Sequence, residues 1–372
     1  MLYWILREMQ AADDVQLQLV VTGMHLSPEF GRTVDVIVAD GFEIARRVEM
    51  LVSSDTPGGT VKSMGLGMIG MSDALEALRP EIVVVLGDRF EMLVVAQACL
   101  ILGIPLAHIA GGDTTEGAFD ESIRHAITKM AHMHFVTNSL SAQRVRQLGE
   151  DPDAVHVVGS PGLDFIVRRP LLDRDAIEKA LGAPLGVRNF LVTYHPVTLD
   201  AADDLSALHE LFAALDGQVD GTVFWLTKPN ADANGRALSA ALDAWAAGHP
   251  TRAHVYASLG QLRYLSLMAH VDAVIGNSSS GLYEAPSLRV PTVDIGDRQR
   301  GRLAAASVIH CAADRAAISE AISRATTCDC SAVENPYGDG DSSRRIVSIL
   351  RSVPRFDHLI RKRFHLLEAS HV

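Results

Sequence analysis

The chain has 372 residues, enough for two domains that each bury a hydrophobic core. Apolar residues make up 48% and charged residues 21% of the sequence, which is typical of globular proteins and excludes disordered and fibrous architectures. The formal net charge is −12, so the protein repels a nucleic-acid backbone and an anionic membrane surface. We therefore expect neither nucleic acid nor a membrane as a partner.

Cysteine and histidine spacing gives no sign of a metal site. The four cysteines form no repeated CxxC pair, they are too few for a disulfide framework, and no HExxH motif occurs. We expect neither a metal nor another cofactor. The sequence also lacks a signal-peptide pattern and an uninterrupted apolar window of about 18 residues, so we expect a cytoplasmic protein without a membrane span.

Short apolar runs alternate with helical segments along the first half of the chain. The predicted strands are 17–23, 81–88, 104–112, 133–138 and 155–160. The segments 61–78 and 119–131 between them repeat at helical spacing. Runs this apolar are typical of parallel strands that helices cover on both faces.

The same rhythm restarts after Pro161, with predicted strands 189–196, 222–230, 253–259, 272–281 and 290–297. Two prolines within 160–175 mark a linker. We expect an α/β fold with two Rossmann-like doubly wound domains, 1–165 and 166–350, and a tail over 351–372 that packs back on the first domain. Ligands of such sheets bind beyond the carboxyl ends of the strands, so two facing domains create a cleft between them.

Charged residues cluster after two predicted strands of the first half. They are Asp88, Arg89, Asp113, Glu116, Asp120, Glu121, Arg124 and His125. Charge at a buried strand end is tolerated only when it is paired or used, so this cluster indicates chemistry. The alternative for Asp120 and Glu121 is an ordinary acidic helix start, which the helix dipole favours.

The second half carries a motif suited to an anion. Asn277–Gly281 lies between a predicted strand and a helix, where backbone N–H groups and hydroxyls bind phosphate without net positive charge. Glu284, one turn further, is placed to accept hydrogen bonds from ribose hydroxyls. The alternative is a serine-rich helix cap.

Two further strand ends of the second half carry basic groups. His195 ends one strand, and Arg298, Arg300 and Arg302 follow another. Three arginines in an acidic protein favour diphosphate recognition, although a solvated charge run is the alternative for Arg300 and Arg302.

Over roughly residues 17–350 the sequence resembles the hydrolysing UDP-N-acetylglucosamine 2-epimerases of sialic acid biosynthesis. The resemblance is carried by GDRFEMLVVA (87–96), HIAGGDTTEGAFDESIRHAITKMAHMHFVTN (108–138), HPVT (195–198), KPNADANGR (228–236), GNSSSGLYE (276–284) and DIGDRQRGR (294–302). It implies a glycosyltransferase-B-like fold, with the sugar at the N-terminal domain and UDP mainly at the C-terminal one. It also implies release of UDP and N-acetylmannosamine without a metal, in a homodimer or homotetramer.

The resemblance also implies roles for individual residues. The catalytic carboxylates are Asp88 and Asp120, with Glu121 beside them. A glutamate found in part of the family before the paired glycines is Ala110 here, and Asp113 or Glu116 takes its role. The implied substrate-binding residues are Arg89, His195, Asn230, Asn277, Ser278, Ser279, Gly281, Glu284 and Arg298.

The implied reaction is anti elimination of UDP to a glycal, followed by addition of water. Carboxylates stabilise the developing oxocarbenium ion and then divide the roles of acid and base. The alternatives are a related epimerase acting on a UDP-2,4-diacetamido hexose or a GDP sugar, a glycosyltransferase of the same architecture, and a non-catalytic nucleotide-sugar sensor.

One expectation concerns the start of the sequence. In the family, a first strand and a Gly-(Thr/Ser)-Arg turn precede the helix that matches residues 2–12. A doubly wound domain keeps its first strand at the centre of the sheet. We therefore expect a reading frame that starts upstream of Met1.

Overall fold

A computed structural model describes residues 1–54, 56–115, 119–196, 204–228 and 235–366. The chain divides into two units. The first unit comprises Met1–Asp113, Phe119–Pro161 and Asp341–Val372, and the second comprises Thr114–Ala118 and Gly162–Gly340. The short segment Thr114–Ala118, which follows a strand of the first unit, thus groups with the second.

The first unit alternates helices and strands in chain order. Its elements are α1 (Tyr3–Gln10), β1 (Leu19–Thr22), α2 (Val34–Ala39), β2 (Ile44–Val48), α3 (Pro57–Leu78), β3 (Val83–Leu86), α4 (Phe90–Leu102), β4 (Leu106–Ile109), α5 (Phe119–Met130), β5 (Met133–Val136), α6 (Ser139–Gln147) and β6 (Val155–Val157).

The strands of the first unit form two parallel sheets among its described residues. One sheet pairs β1 with β2, and the other has the order β3-β4-β5-β6. The two sheets share their hydrophobic packing. Val48 of β2 lies in one cluster with Val85 of β3, and Leu17 beside β1 packs against another cluster with Leu86 of β3. Strands β1 and β3 therefore each have one edge without a described partner strand.

The second unit repeats the alternation. Its elements are α7 (Asp164–Arg168), α8 (Arg174–Leu181), β7 (Arg188–Thr193), α9 (Asp204–Asp216), β8 (Thr222–Thr227), α10 (Gly235–Ala247), β9 (Ala253–Tyr256), α11 (Gly260–Met268), β10 (Ala273–Gly276), α12 (Ser280–Tyr283), β11 (Thr292–Ile295), β12 (Val308–Cys311) and α13 (Arg315–Ala325).

The second unit has one continuous sheet of six parallel strands, in the order β12-β11-β10-β7-β8-β9. The first strand of the unit, β7, is central. Its successive side chains point to opposite faces, so Phe190 and Val192 lie in one hydrophobic cluster and Leu191 in another. Both faces are covered by helices, which explains the apolar character of the run.

Helix α14 (Ser342–Ser352) and the tail after it belong to the first unit. The apolar face of α14, with Ile346 and Leu350, lies in one cluster with Ile5 of α1. In the tail, the Lys362 ammonium lies within ion-pair distance of Glu150. The second unit accordingly ends at Gly340, ten residues before the boundary at 350 expected from the sequence, because the apolar face of α14 is buried against α1.

The predicted α/β fold with two Rossmann-like units is confirmed, and each of the ten predicted strands overlaps an observed one. Strands β2 and β12 were not predicted. In β2 the exposed Arg46 and Arg47 interrupt the apolar pattern, and β12 is a four-residue strand at the sheet edge. No helix within the described ranges is long and apolar enough to cross a membrane.

Candidate functional site

An ion-pair network lies at the strand ends of the first unit. Asp88 follows β3, and the nearly buried guanidinium of Arg124 on α5 contacts its carboxylate through Nη2. Nη1 of Arg124 donates to Glu121 Oε2 at 2.8 Å and to the carbonyl of Asp113 at 2.7 Å. Glu121 Oε1 lies 3.0 Å from Nε2 of His125. One buried cation thus holds two of the predicted catalytic carboxylates, Asp88 and Glu121, on a common centre.

The surroundings of Asp113 and Asp120 differ from those of Asp88 and Glu121. The carboxylate of Asp113 is buried, and its Oδ1 accepts hydrogen bonds from Thr137 Oγ1 at 2.7 Å and Ser141 Oγ at 2.6 Å. These bonds fasten the loop after β4 to the interior of the unit. Asp120 lies in the first turn of α5 and is partly exposed.

His108 on β4 was not predicted as a site residue, yet it braces this network. Its Nε2 lies 2.8 Å from the Gly87 carbonyl, which can only accept, so Nε2 carries the proton and Nδ1 accepts from Thr128 Oγ1 at 3.1 Å. Burial lowers the pKa of His108 to about 3, so the ring stays neutral. A Cβ at Gly111 would meet Thr128 Oγ1 at 2.8 Å, which explains the glycine there. The neutral ring fixes the residue before Asp88.

Arg89 caps the start of α4 with its backbone in an extended conformation. Its Nε lies 3.3 Å from Glu91 Oε2, and just over half of its side chain is exposed. The predicted diphosphate-facing arginine is therefore held at one end by an acidic neighbour and remains accessible.

In the second unit, Asn277 joins the ends of two neighbouring strands. The backbone N–H of His195, after β7, donates to Asn277 Oδ1 at 2.7 Å, and Asn277 Nδ2 donates to the His195 carbonyl at 2.8 Å. Gly276 precedes it with φ +135°, and a Cβ there would lie 2.0 Å from the Thr193 carbonyl oxygen. The close approach of β7 and β10 thus requires glycine and fixes His195 beside Asn277–Ser279, the serine loop between β10 and α12.

The carbonyl of Asn277 accepts two side-chain hydrogen bonds. Arg298 Nη1 donates at 3.1 Å and Gln299 Nε2 at 2.7 Å. The structure therefore brings His195, Asn277 and Arg298 together, and it adds Gln299, which sequence analysis did not single out.

The serine loop leads into a helix shorter than expected. Helix α12 has only four residues, so its dipole is weak at the serine loop. Beside the loop, burial raises the pKa of Glu284 to about 7 and raises that of Tyr264. Tyr264 on α11 was not predicted, and its hydroxyl lies 3.4 Å from Thr193 Oγ1.

Arg302 also lies in the second unit, half-buried. Its Nε donates to the Thr114 carbonyl at 2.9 Å, Nη1 donates to Gln299 Oε1 at 2.8 Å, and Nη2 donates to Thr115 Oγ1 at 3.0 Å. The alternative of a solvated charge is therefore wrong for Arg302, whereas Arg300 is exposed.

Two predicted site residues, Glu116 and Asn230, lie outside the described residues. Among the residues that the structure does describe, no group of three or more histidine, cysteine, aspartate or glutamate side chains could hold a metal ion.

Two Rossmann-like units with polar and charged strand ends define an α/β protein with a glycosyltransferase-B-like fold. The chain belongs to the UDP-N-acetylglucosamine 2-epimerase family, whose model matches residues 7–351. The family assignment made from the motifs is thereby confirmed.

Two relatives and one solved structure illustrate the similarity. A GDP/UDP-N,N'-diacetylbacillosamine 2-epimerase (hydrolyzing) of Campylobacter jejuni is 41% identical over 302 residues, covering 81% of this chain and 78% of the relative. A UDP-N,N'-diacetylbacillosamine 2-epimerase (hydrolyzing) of Legionella pneumophila is 31% identical over 96% of this chain and 94% of its own length. The Methanocaldococcus jannaschii UDP-GlcNAc 2-epimerase in complex with UDP-GlcNAc and UDP superposes with a TM-score of 0.77 at 17% identity, covering 94% of this chain and 95% of that one. At that identity the structural match shows the fold alone.

Proposed function

We propose that the protein is a hydrolysing 2-epimerase of a nucleotide-linked 2-acetamido sugar, releasing the nucleoside diphosphate and the free sugar inverted at C2. The observation that carries the proposal is the 41% identity with the hydrolysing C. jejuni enzyme. Asp88 and Glu121 supply carboxylates that such a reaction needs. The buried Arg124 holds both of them at the strand ends of the first unit.

In the proposed first half-reaction, the C1–O bond breaks ahead of C2–H cleavage, because a C2 proton without an adjacent carbonyl is only weakly acidic. Asp88 and Asp120 stabilise the oxocarbenium character at C1, and one carboxylate accepts the C2 proton to leave a glycal. Water then adds at C1 while a proton returns to C2 from the opposite face. We assign Asp113 to holding the loop, because Thr137 and Ser141 already use its Oδ1.

The nucleoside diphosphate is proposed to bind the second unit. His195, Ser278, Ser279 and Arg298 provide donors for the phosphates, and Glu284 meets the ribose hydroxyls. The backbone of His195 and the guanidinium of Arg298 are held in place before the ligand arrives, because Asn277 clamps the first and accepts from the second. Charge that develops on the leaving diphosphate is stabilised by these fixed groups. Arg89 and Asn230 are proposed as additional contacts.

The proposed sugar is N,N'-diacetylbacillosamine, a 2,4-diacetamido sugar, because two relatives above 30% identity act on it by name. A third, of 34% identity, is named a polysialic acid biosynthesis protein of Escherichia coli. The N-acetylglucosamine substrate expected from the sequence is the second candidate, supported by a Neisseria meningitidis relative that is named UDP-N-acetylglucosamine 2-epimerase and is 28% identical over 94% of this chain.

The test is to incubate the purified protein with UDP-GlcNAc, UDP-N,N'-diacetylbacillosamine and its GDP counterpart, and to identify the products by NMR. We expect free 2-epimerised sugar and UDP from the UDP-diacetamido sugar, with and without EDTA. A new glycoside would identify a transferase instead. Binding of each ligand without turnover would identify a nucleotide-sugar sensor, and loss of activity in EDTA would contradict metal-free catalysis.

We also propose that the working enzyme is a cytoplasmic homo-oligomer assembled through helices α3 and α4. Their apolar side chains are exposed on the isolated chain: Val61, Leu66, Ile69, Leu100 and Ile101. An antiparallel two-fold pairing of α3 would also place Lys62 of one copy opposite Asp73 of the other.

Light scattering after size exclusion should therefore give at least twice the chain mass, and Ile69→Glu should shift the protein to a monomer. A wild-type monomer would contradict the proposal. Val187→Glu, at an exposed apolar position of the other unit, is the matched control and should leave the mass unchanged.

A further inference from the structure

Arg302 donates two hydrogen bonds to the segment Thr114–Thr115 and a third to Gln299. Nε holds the Thr114 carbonyl, Nη2 holds the Thr115 hydroxyl, and Nη1 holds the side chain of Gln299. Thr114 returns a hydrogen bond from its own hydroxyl to the Gly301 carbonyl at 3.3 Å. Three of the five N–H groups of the guanidinium therefore point at protein acceptors, and two of those acceptors belong to one short loop.

That loop connects a structural anchor to one of the proposed catalytic carboxylates. It follows Asp113, whose carboxylate is anchored by Thr137 and Ser141, and it leads to Asp120 at the start of α5. Its residues Thr114–Ala118 group with the second unit, although the residues on either side group with the first. The Arg302 guanidinium holds Thr114 and Thr115, which are the described residues of this segment.

On its other side, Arg302 is linked to the serine loop through Gln299. Gln299, which accepts from Arg302, donates to the carbonyl of Asn277 at 2.7 Å, and Asn277 clamps His195. The Arg302 guanidinium carbon also lies 5.8 Å from the ring centroid of Tyr283 on α12. One planar cation thus touches both the loop before Asp120 and the elements that surround the serine loop.

We propose that Arg302 is a positioning residue that couples nucleotide binding to the placement of Thr114 and Thr115, which follow Asp113 in the chain. The proposal rests on the proposed function and assigns Arg302 no contact with the nucleotide itself. A rigid fork is required, because a lysine ammonium is a point charge that cannot serve three acceptors in one plane. Nucleotide that orders Asn277 and Gln299 therefore also orders Thr114 and Thr115, and turnover becomes efficient only when both are in place.

The experiment compares Arg302→Gln and Arg302→Lys with the matched control Arg300→Gln, an exposed arginine two residues away. Three quantities are measured on the full chain: kcat and KM for the substrate that the wild type turns over, the Kd of UDP by calorimetry, and amide exchange over 111–115 with and without UDP. Thermal unfolding of each variant checks that the fold is intact.

We expect both Arg302 variants to lose at least about tenfold in kcat while the Kd of UDP stays within about twofold. We also expect UDP to slow exchange over 111–115 in the wild type and in Arg300→Gln but not in the Arg302 variants. A loss of UDP affinity that equals the loss in kcat/KM, with activity restored by lysine, would make Arg302 a direct diphosphate ligand and overturn the proposal. Unchanged kcat or unchanged protection would also overturn it.

The exchange measurement separates this proposal from the proposed function. If no nucleotide sugar is turned over, the proposed function fails, while UDP-dependent protection of 111–115 still tests the coupling. If turnover occurs and UDP-dependent protection is the same in all variants, the coupling fails and the proposed function stands.

Discussion

The two units of the chain build their sheets and their strand ends differently. The second unit has a continuous six-stranded sheet with its first strand at the centre, whereas the described strands of the first unit fall into sheets of two and four. The strand ends differ as well. Those of the first unit carry the ion-paired Asp88, Arg124 and Glu121, while Asn277 in the second unit clamps backbone groups with its neutral amide.

This difference matches the two tasks that the proposed reaction sets. Binding a diphosphate needs donors that are fixed before the ligand arrives, and a continuous sheet with clamped strand ends provides them. Proton transfer at a sugar carbon needs carboxylates whose negative charge is partly compensated by a neighbouring cation. Arg124 is that cation for Asp88 and Glu121. The first unit thus concentrates ion-paired carboxylates, and the second unit concentrates preorganised donors.

The largest expected effect falls on the charged strand ends. Asp88→Asn removes charge without removing volume, so we expect turnover to fall by at least about 100-fold while the Kd of UDP changes less than about twofold. Steady-state kinetics and calorimetry measure the two quantities. Asp175→Asn, at an exposed aspartate of α8, is the control. Turnover of Asp88→Asn within about threefold of the wild type would remove Asp88 from the mechanism.

The second unit should show the reverse pattern. His195→Ala removes a proposed phosphate donor while leaving its backbone bonds to Asn277, so UDP affinity should fall by about 1–3 kcal/mol. Calorimetric titration with UDP measures the change, and unfolding by urea checks that stability is retained. Unchanged affinity would place the nucleotide away from the end of β7.

The broken and continuous sheets should differ in local stability. Strand β1 is paired on one side only within the described structure, whereas β7 is paired on both. We expect backbone amides of β1 to exchange with deuterium at least about tenfold faster than those of β7 under native conditions. Equal protection of the two strands would show that the open edge of β1 is stabilised to the same extent as a central strand.

The smallest effect concerns pH. Burial raises the pKa of Glu284 to about 7, so the free protein holds this carboxyl partly protonated near neutrality. An anionic ligand favours the neutral form and raises that pKa further, so UDP affinity should fall as pH rises from 6 to 8, by about fivefold. Glu284→Gln should remove this dependence and leave only the ionisation of UDP. Affinity that rises over the same range in the wild type would contradict the sign.

Much of the fold could be predicted because parallel strands that are buried on both faces have continuous apolar sequences. Examples are VVVL in β3 and NFLVT in β7. Strand β2 was not predicted, because Arg46 and Arg47 interrupt its apolar pattern. The sequence did not predict the division of the chain after Gly340. That division depends on how α14 packs against α1, which lies more than 300 residues earlier in the sequence.

For the candidate site, the sequence could indicate only residues that lie next to a strand end. Groups adjacent in sequence to a strand end, such as Asp88 and Asn277, could be found from the motifs. His108 and Arg302 could not be assigned, because their roles depend on partners far away in sequence. His108 holds the carbonyl of Gly87, 21 residues away, and Arg302 holds Thr114 and Thr115, 188 and 187 residues away.

The most direct test of the central claim is the reaction in deuterium oxide. If the protein is a hydrolysing 2-epimerase that works by elimination and hydration, incubation with UDP-N,N'-diacetylbacillosamine should release UDP and a free sugar that carries one deuterium at C2, with inverted configuration there. Mass spectrometry and proton NMR of the isolated sugar measure both. Release of a sugar that keeps its C2 hydrogen and its configuration would show simple hydrolysis and contradict the account.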